Sequence, residues 1–114
     1  MQITQQQMQM FEEVQLQRFE DEVMAGLRQS FGEMIATHRL DDAGLRAIVG
    51  EATRRAATYG IVGESDVTRF VEFVFEYGGG FEQLAWAAPV LRSLELTSDE
   101  KMDRLGSIST FEVR

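Results

Sequence analysis

The chain has 114 residues, 44% hydrophobic and 26% charged, and its 19 acids against 11 bases give a formal charge of −8. That length suits one hydrophobic core and a single domain over 1–114, and the absence of cysteine excludes disulfides and thiolate zinc sites. The acids are spread along the whole chain, a surface that repels phosphate backbones, so a nucleic-acid role is excluded and a basic protein surface is the easier partner.

No apolar run approaches the roughly 20 residues that a spanning helix needs, and MQITQQQMQMFEE lacks the basic start and apolar core of a signal peptide. A soluble, cytoplasmic protein without membrane association is the expectation. Ten of the basic residues are arginine and Lys101 is the one lysine, a bias that reflects a GC-rich genome better than a mechanism.

Several segments carry helix-period apolar spacing and Pro89 is the single proline, which together predict an all-α bundle of about five helices. Thr4 with Gln7 forms a capping-box signature that starts a long first helix over 1–31. Leu16, Phe19, Val23, Leu27 and Phe31 share one stripe of it. At about 100° per residue, Met8, Met10, Phe11 and Val14 fall on nearly the opposite side of an unbroken helix. Either the helix bends near Gln15, or the chain wraps around its own core, or another molecule covers those residues. Flexible, polarizable methionines suit a surface of the last kind.

Gly32 punctuates the chain, the short segment GEMIATHRL follows, and Asp41 or Asp42 is placed to cap the next helix. There Leu45, Ile48, Val49, Ala52, Ala56 and Tyr59 make one stripe. Arg46, Glu51, Arg54 and Arg55 hold the wet side, with Glu51 set to pair with Arg55 at i+4. Gly60 stops the helix, and Ile61 is placed to fold back as the apolar contact of a glycine C-cap.

Ser65 or Asp66 would cap the next element, 66–77. Read as a helix, Val67, Phe70, Val71, Phe73, Val74, Phe75 and Tyr77 cover roughly 200° of arc and leave Arg69, Glu72 and Glu76 on a polar strip. Read as a strand, Val71, Phe73, Phe75 and Tyr77 share one face with Glu72 and Glu76 on the other. The cap, the length and the helical neighbours favour the helix. Gly78 then supplies a positive φ at its end, Gly79 and Gly80 a turn, and Phe81 and Trp86 are free to dock back. Pro89 fits the first turn of a helix bearing Val90, Leu91 and Leu94. Thr97 with Glu100 is a second capping box, opening a helix with Met102 and Leu105 inside, and the tail 107–114 is expected to be loose.

Candidate chemistry is thin. The glycines of FEYGGGFE end a helix and lead into Phe81 and Glu82, whereas a phosphate loop needs glycines followed by Lys and Ser or Thr at a helix start. His38, the single histidine, has no nucleophile in an elbow motif, since Ser65 sits in VGESD. No pair of E-x-x-H motifs and no alternating-acid calcium loop is present, so neither a metal nor another cofactor is expected. Glu72 and Glu76 read as the solvent strip of their helix with Arg69 as partner, and RFEDE (18–22) reads as a solvated face.

The stretch YGIVGESDVTRFVEFVFEYGGGFE, followed by Trp86 and DEKMDRL and preceded by the opening ITQQQMQMFEE, resembles a family of small helical bacterial proteins. These are encoded beside type VI secretion effectors and their PAAR-tip proteins. Where the family shows one glycine before the phenylalanine, this chain has three. The resemblance implies a co-chaperone or adaptor that binds an effector or its chaperone.

Taken together, the expectation is a non-enzymatic protein-binding accessory factor with Met8, Met10, Phe11, Val14, Phe81 and Trp86 as partner-binding residues. Three other readings compete with it. One is an immunity protein whose acidic surface plugs a basic toxin. Another is a small hydrolase with paired carboxylates of raised pKa, and the third is a homodimer.

Overall fold

The structure, a computed structural model, describes residues 5–111, with side chains described over 14–110. α1 spans Gln5–Ser30, α2 Gly32–Thr37, α3 Asp42–Thr58, α4 Glu64–Tyr77, α5 Ala88–Leu91 and α6 Ser98–Phe111, with a 3-10 turn at Phe81–Gln83. Among the described residues there is no strand, and the all-α class read from periodicity holds. Among the described residues the helices number six rather than about five, because the segment after Phe31 forms a short helix of its own. The chain folds as two compact units, 1–49 and 50–114, with the boundary inside α3.

In the first unit the helical period of α1 decides what is buried. Phe19, Val23, Met24 and Leu27 are all shielded, along with Ile35 of α2 and Leu45 and Val49 of α3. α1 and α2 are in direct contact, and the Phe31 N–H bonds back to the Leu27 carbonyl at 2.7 Å. Two arginines tie α3 to α1: Arg28 pairs with Asp42, and Arg46 with both Glu20, at 3.3 Å, and Asp21. RFEDE is thus only partly a solvated face, since Glu20 is 9% exposed. Asp41 caps α3 as the spacing predicts, its Oδ1 accepting the Gly44 N–H at 2.7 Å. α2 ends without any glycine. Arg39 takes a left-handed φ of 54°, while the N–H groups of Arg39 and Leu40 bond to the Ala36 and Ile35 carbonyls.

The second unit is built around α4. Val67, Phe70, Val71, Phe73, Val74 and Phe75 are buried, the wide arc expected of a helix covered on several sides. The strand alternative is overturned by continuous helical backbone from Glu64 to Tyr77. Neither Ser65 nor Asp66 caps it; Gly63, at φ 91°, precedes the first turn, and Asp66 lies within that turn, buried. α4 touches α6 and the 3-10 turn, and α5 touches both as well. Phe70 meets Phe81 edge-on at 5.2 Å, and Phe73 stacks on Phe81 at 5.7 Å, which seals the centre.

Helix ends follow local rules where glycine or a capping box is present. Gly60 sits at φ 72°, its N–H bonds to the Ala57 carbonyl and that of Ile61 to the Ala56 carbonyl, while the Ile61 side chain is 1% exposed. At α6, Glu100 Oε1 accepts the Thr97 N–H at 3.0 Å and Thr97 Oγ1 accepts the Glu100 N–H at 3.2 Å, a closed capping box. Accepting that backbone N–H holds the Glu100 carboxyl below its ordinary range. Two expectations fail. Residues 107–111 are not loose but continue α6 to Phe111, residues 112–114 lying outside the described ones, and the helix that holds Pro89 in its first turn stops at Leu91, leaving Leu94 fully exposed.

Lys101 is the least expected element. The one lysine of the chain is 6% exposed, and its Nζ donates to the Tyr59 carbonyl at 2.7 Å and the Leu91 carbonyl at 2.8 Å. Both oxygens stand at the carboxyl ends of helices, α3 and α5, where backbone carbonyls lack intrahelical partners and the helix dipole favours a cation. One ammonium from α6 therefore closes two helix ends in the second unit. Lys101→Met, which keeps the stem and removes the donors, is expected to cost about 3 kcal/mol in urea denaturation.

Candidate partner-binding surface

The residues assigned to partner binding separate once placed on the structure. α1 is unbroken helix from Gln5 to Ser30, so no interruption near Gln15 brings its two apolar stripes onto one side. Met8, Met10 and Phe11 lie outside the residues whose side chains are described. Val14 lies within them and is 65% exposed, on the side of the helix nearly opposite Phe19 and Val23.

Every residue from Val14 to Arg18 is exposed. Leu16, expected inside with Phe19, is 47% exposed, because helical phase fixes a side chain's direction and says nothing of where the covering elements stop. Arg18 stands one turn beyond Val14 on the same stripe, and no ion pair reaches it among the described residues.

The second proposed contact, the loop from Gly78 to Trp86, turns inward. Phe81 is fully buried, and its ring is a core element between Phe70 and Phe73 rather than a contact surface. The 3-10 turn carries it there, with Phe81 N–H bonded to the Gly78 carbonyl at 3.1 Å. Trp86 is half-buried and packs edge-on against Tyr77 at 5.2 Å. Leu84 and Leu94 are the apolar side chains that this half of the second unit exposes, together with Val62.

Polar clusters in the second unit have structural partners. Arg55 Nε donates to buried Glu82 at 2.8 Å, while Glu51 sits closer to Arg54, at 2.5 Å, than to the expected Arg55, at 3.8 Å. The hydrogen bond from Arg54 holds the Glu51 carboxyl below its ordinary range. Burial first, and then the Glu82 charge, push the Tyr59 phenol up. Arg69 does not serve Glu72 and Glu76 in the way the spacing suggests; it bonds Asp103 at 2.9 Å and the Met102 carbonyl at 2.9 Å. Glu72 and Glu76 instead flank an open groove of about 240 Å3 between α4 and α6, floored by Phe73 and edged by Ser109 and Thr110. His38 is exposed, with Nδ1 3.0 Å from the Met34 carbonyl, where it donates.

Sequence reading missed Asp66. It is 6% exposed, its Oδ2 accepts the Ser98 hydroxyl at 2.8 Å, and Ser98 Oγ in turn accepts the Val62 N–H at 3.0 Å. The hydroxyl thus ties the 60–63 turn and α4 to the start of α6. Asp99 stands beside it on an exposed turn. A hydrogen bond shared with the Asp66 carboxyl and then repulsion from it raise the Asp99 pKa, Asp103 adds to the rise and Arg69 opposes it.

Among the described residues no group of three or more His, Cys, Asp or Glu is arranged to hold a metal ion, and no helix is long and apolar enough to cross a membrane. A carboxyl raised in the folded chain favours folding in its protonated form. That contribution is full below the unfolded value of about 3.8 and disappears as pH rises through the higher folded value. Asp99→Asn should therefore have a higher urea midpoint than the wild type at pH 7, and the two should converge as pH falls to 3.5. A search against family models, curated proteins and solved structures finds no match to the chain.

Proposed function

We propose that this chain is a non-enzymatic accessory factor that binds another protein through the amino-terminal half of α1. The observation that carries the reading is Val14, 65% exposed on an unbroken helix whose opposite stripe is buried. Spacing adds Met10 and Phe11 to the same face, which gives three apolar side chains within two turns of helix, whereas Met8, about 120° from Val14 by the helical step, falls on the Phe19 side instead. Apolar stripes of this kind are the anchors of helix-in-groove recognition. The loop at 78–86 contributes Trp86 at most, since Phe81 is committed to the core.

The resemblance of YGIVGESDVTRFVEFVFEYGGGFE and DEKMDRL to small proteins encoded beside type VI secretion effectors supplies the more specific role. In it, the chain works in the cytoplasm as a co-chaperone or adaptor, engaging an effector or the effector's chaperone before delivery. An apolar contact of this kind is driven by buried area and changes little with salt. An immunity complex held by the acidic surface would weaken steeply with ionic strength.

Binding of the purified chain to each protein encoded on either side of its gene separates these readings. The expected result is a complex that Val14→Asp weakens at least about tenfold while Glu72→Gln with Glu76→Gln leaves it unchanged. A complex that resists Val14→Asp and is lost on neutralising surface acids would instead identify a toxin-immunity pair.

A further inference from the structure

Exposed apolar side chains occur on two sides of the same helical stretch. Val14 is 65% exposed and Leu16 47%, and two residues of α-helix set them about 160° apart by the shorter way round. A flat surface or one neighbouring helix covers one of them and leaves the other in water. Arg18, exposed and without an ion pair among the described residues, lies one turn beyond Val14 in a chain whose net charge is −8.

Resting on the binding role above, we infer that the occupant of this surface is a cleft in a different protein that encloses α1 from both sides and sets a carboxylate opposite Arg18. A second copy of the chain fits these observations poorly. Packed stripe to stripe, a second copy covers Val14 and leaves Leu16, about 160° away, in water. Two copies would also bring together two bodies that each carry a charge of −8. An enclosing cleft covers Val14 and Leu16 at once and pairs Arg18.

The probes are the purified proteins encoded on either side of this gene, titrated with the full-length chain and its Val14→Asp, Leu16→Asp and Arg18→Glu variants. Sedimentation equilibrium of the chain alone accompanies the titrations, and circular dichroism confirms that each variant stays helical; Val14→Ala and Leu16→Ala serve as milder substitutes. The expected result is a monomeric chain whose complex is weakened at least about tenfold by each aspartate variant and several-fold by Arg18→Glu. Loss with Val14→Asp but wild-type binding by Leu16→Asp would overturn the cleft while leaving the binding role intact. A dimer dispersed by Val14→Asp would make a second copy the occupant and overturn the inference. Failure of the wild-type chain to bind any of the probes would overturn the inference and the binding role together.

Discussion

An α-helix presents one direction to any one neighbour, and α1 has apolar side chains in two. Phe19, Val23 and Leu27 take the buried side, so an unbroken helix leaves Val14 facing outward. Propensity does not relieve this, because an isolated helical stretch of a dozen or so residues is marginal in water and gains most of its stability from burial of a face. The amino-terminal half of α1 is rich in glutamine and methionine rather than charge: between Gln5 and Gln17 the charged residues are Glu12 and Glu13 alone. A solvated helix normally carries more charge than this, and a docking face less.

The second unit answers a different problem, the satisfaction of polar groups around an aromatic centre. Phe70, Phe73 and Phe81 exclude water, so the carbonyl ends of α3 and α5 need a donor from within the protein. Lys101 provides it from α6, and Ser98, one turn earlier on the same helix, binds Asp66. α6 is therefore the polar fastener of the unit as well as an apolar contributor through Met102 and Leu105. This division explains how a chain without cysteine holds a group of short helices together.

Much of the fold was legible because its determinants are local. The capping box at Thr97, the glycine stop at Gly60 with Ile61 folding back, and the apolar periods of α3 and α4 each depend on residues within a few positions of one another. What escaped reading depends on distant partners. Asp66 looks like a cap until Ser98, 32 residues on, claims its carboxylate, and Lys101 looks like a surface residue until two carbonyls surround it. Arg39 ends α2 in a left-handed conformation without the glycine that would have announced it. At the candidate surface, the phase of α1 gave Val14 its outward direction. No spacing rule could say that cover ends short of Leu16, or that a glycine-rich loop would turn Phe81 inward.

Because the chain has no cysteine, single substitutions read out each face of α1 directly. Maleimide labelling of Val14→Cys and Phe19→Cys in the monomeric protein tests the central claim, that one helix holds a buried and an uncovered apolar side. Val14→Cys should react at the rate of an unfolded thiol, and Phe19→Cys at least about a hundredfold more slowly, since labelling there requires local opening. Equal protection at the two positions in the monomer would contradict the account, since no uncovered face would then remain for a partner.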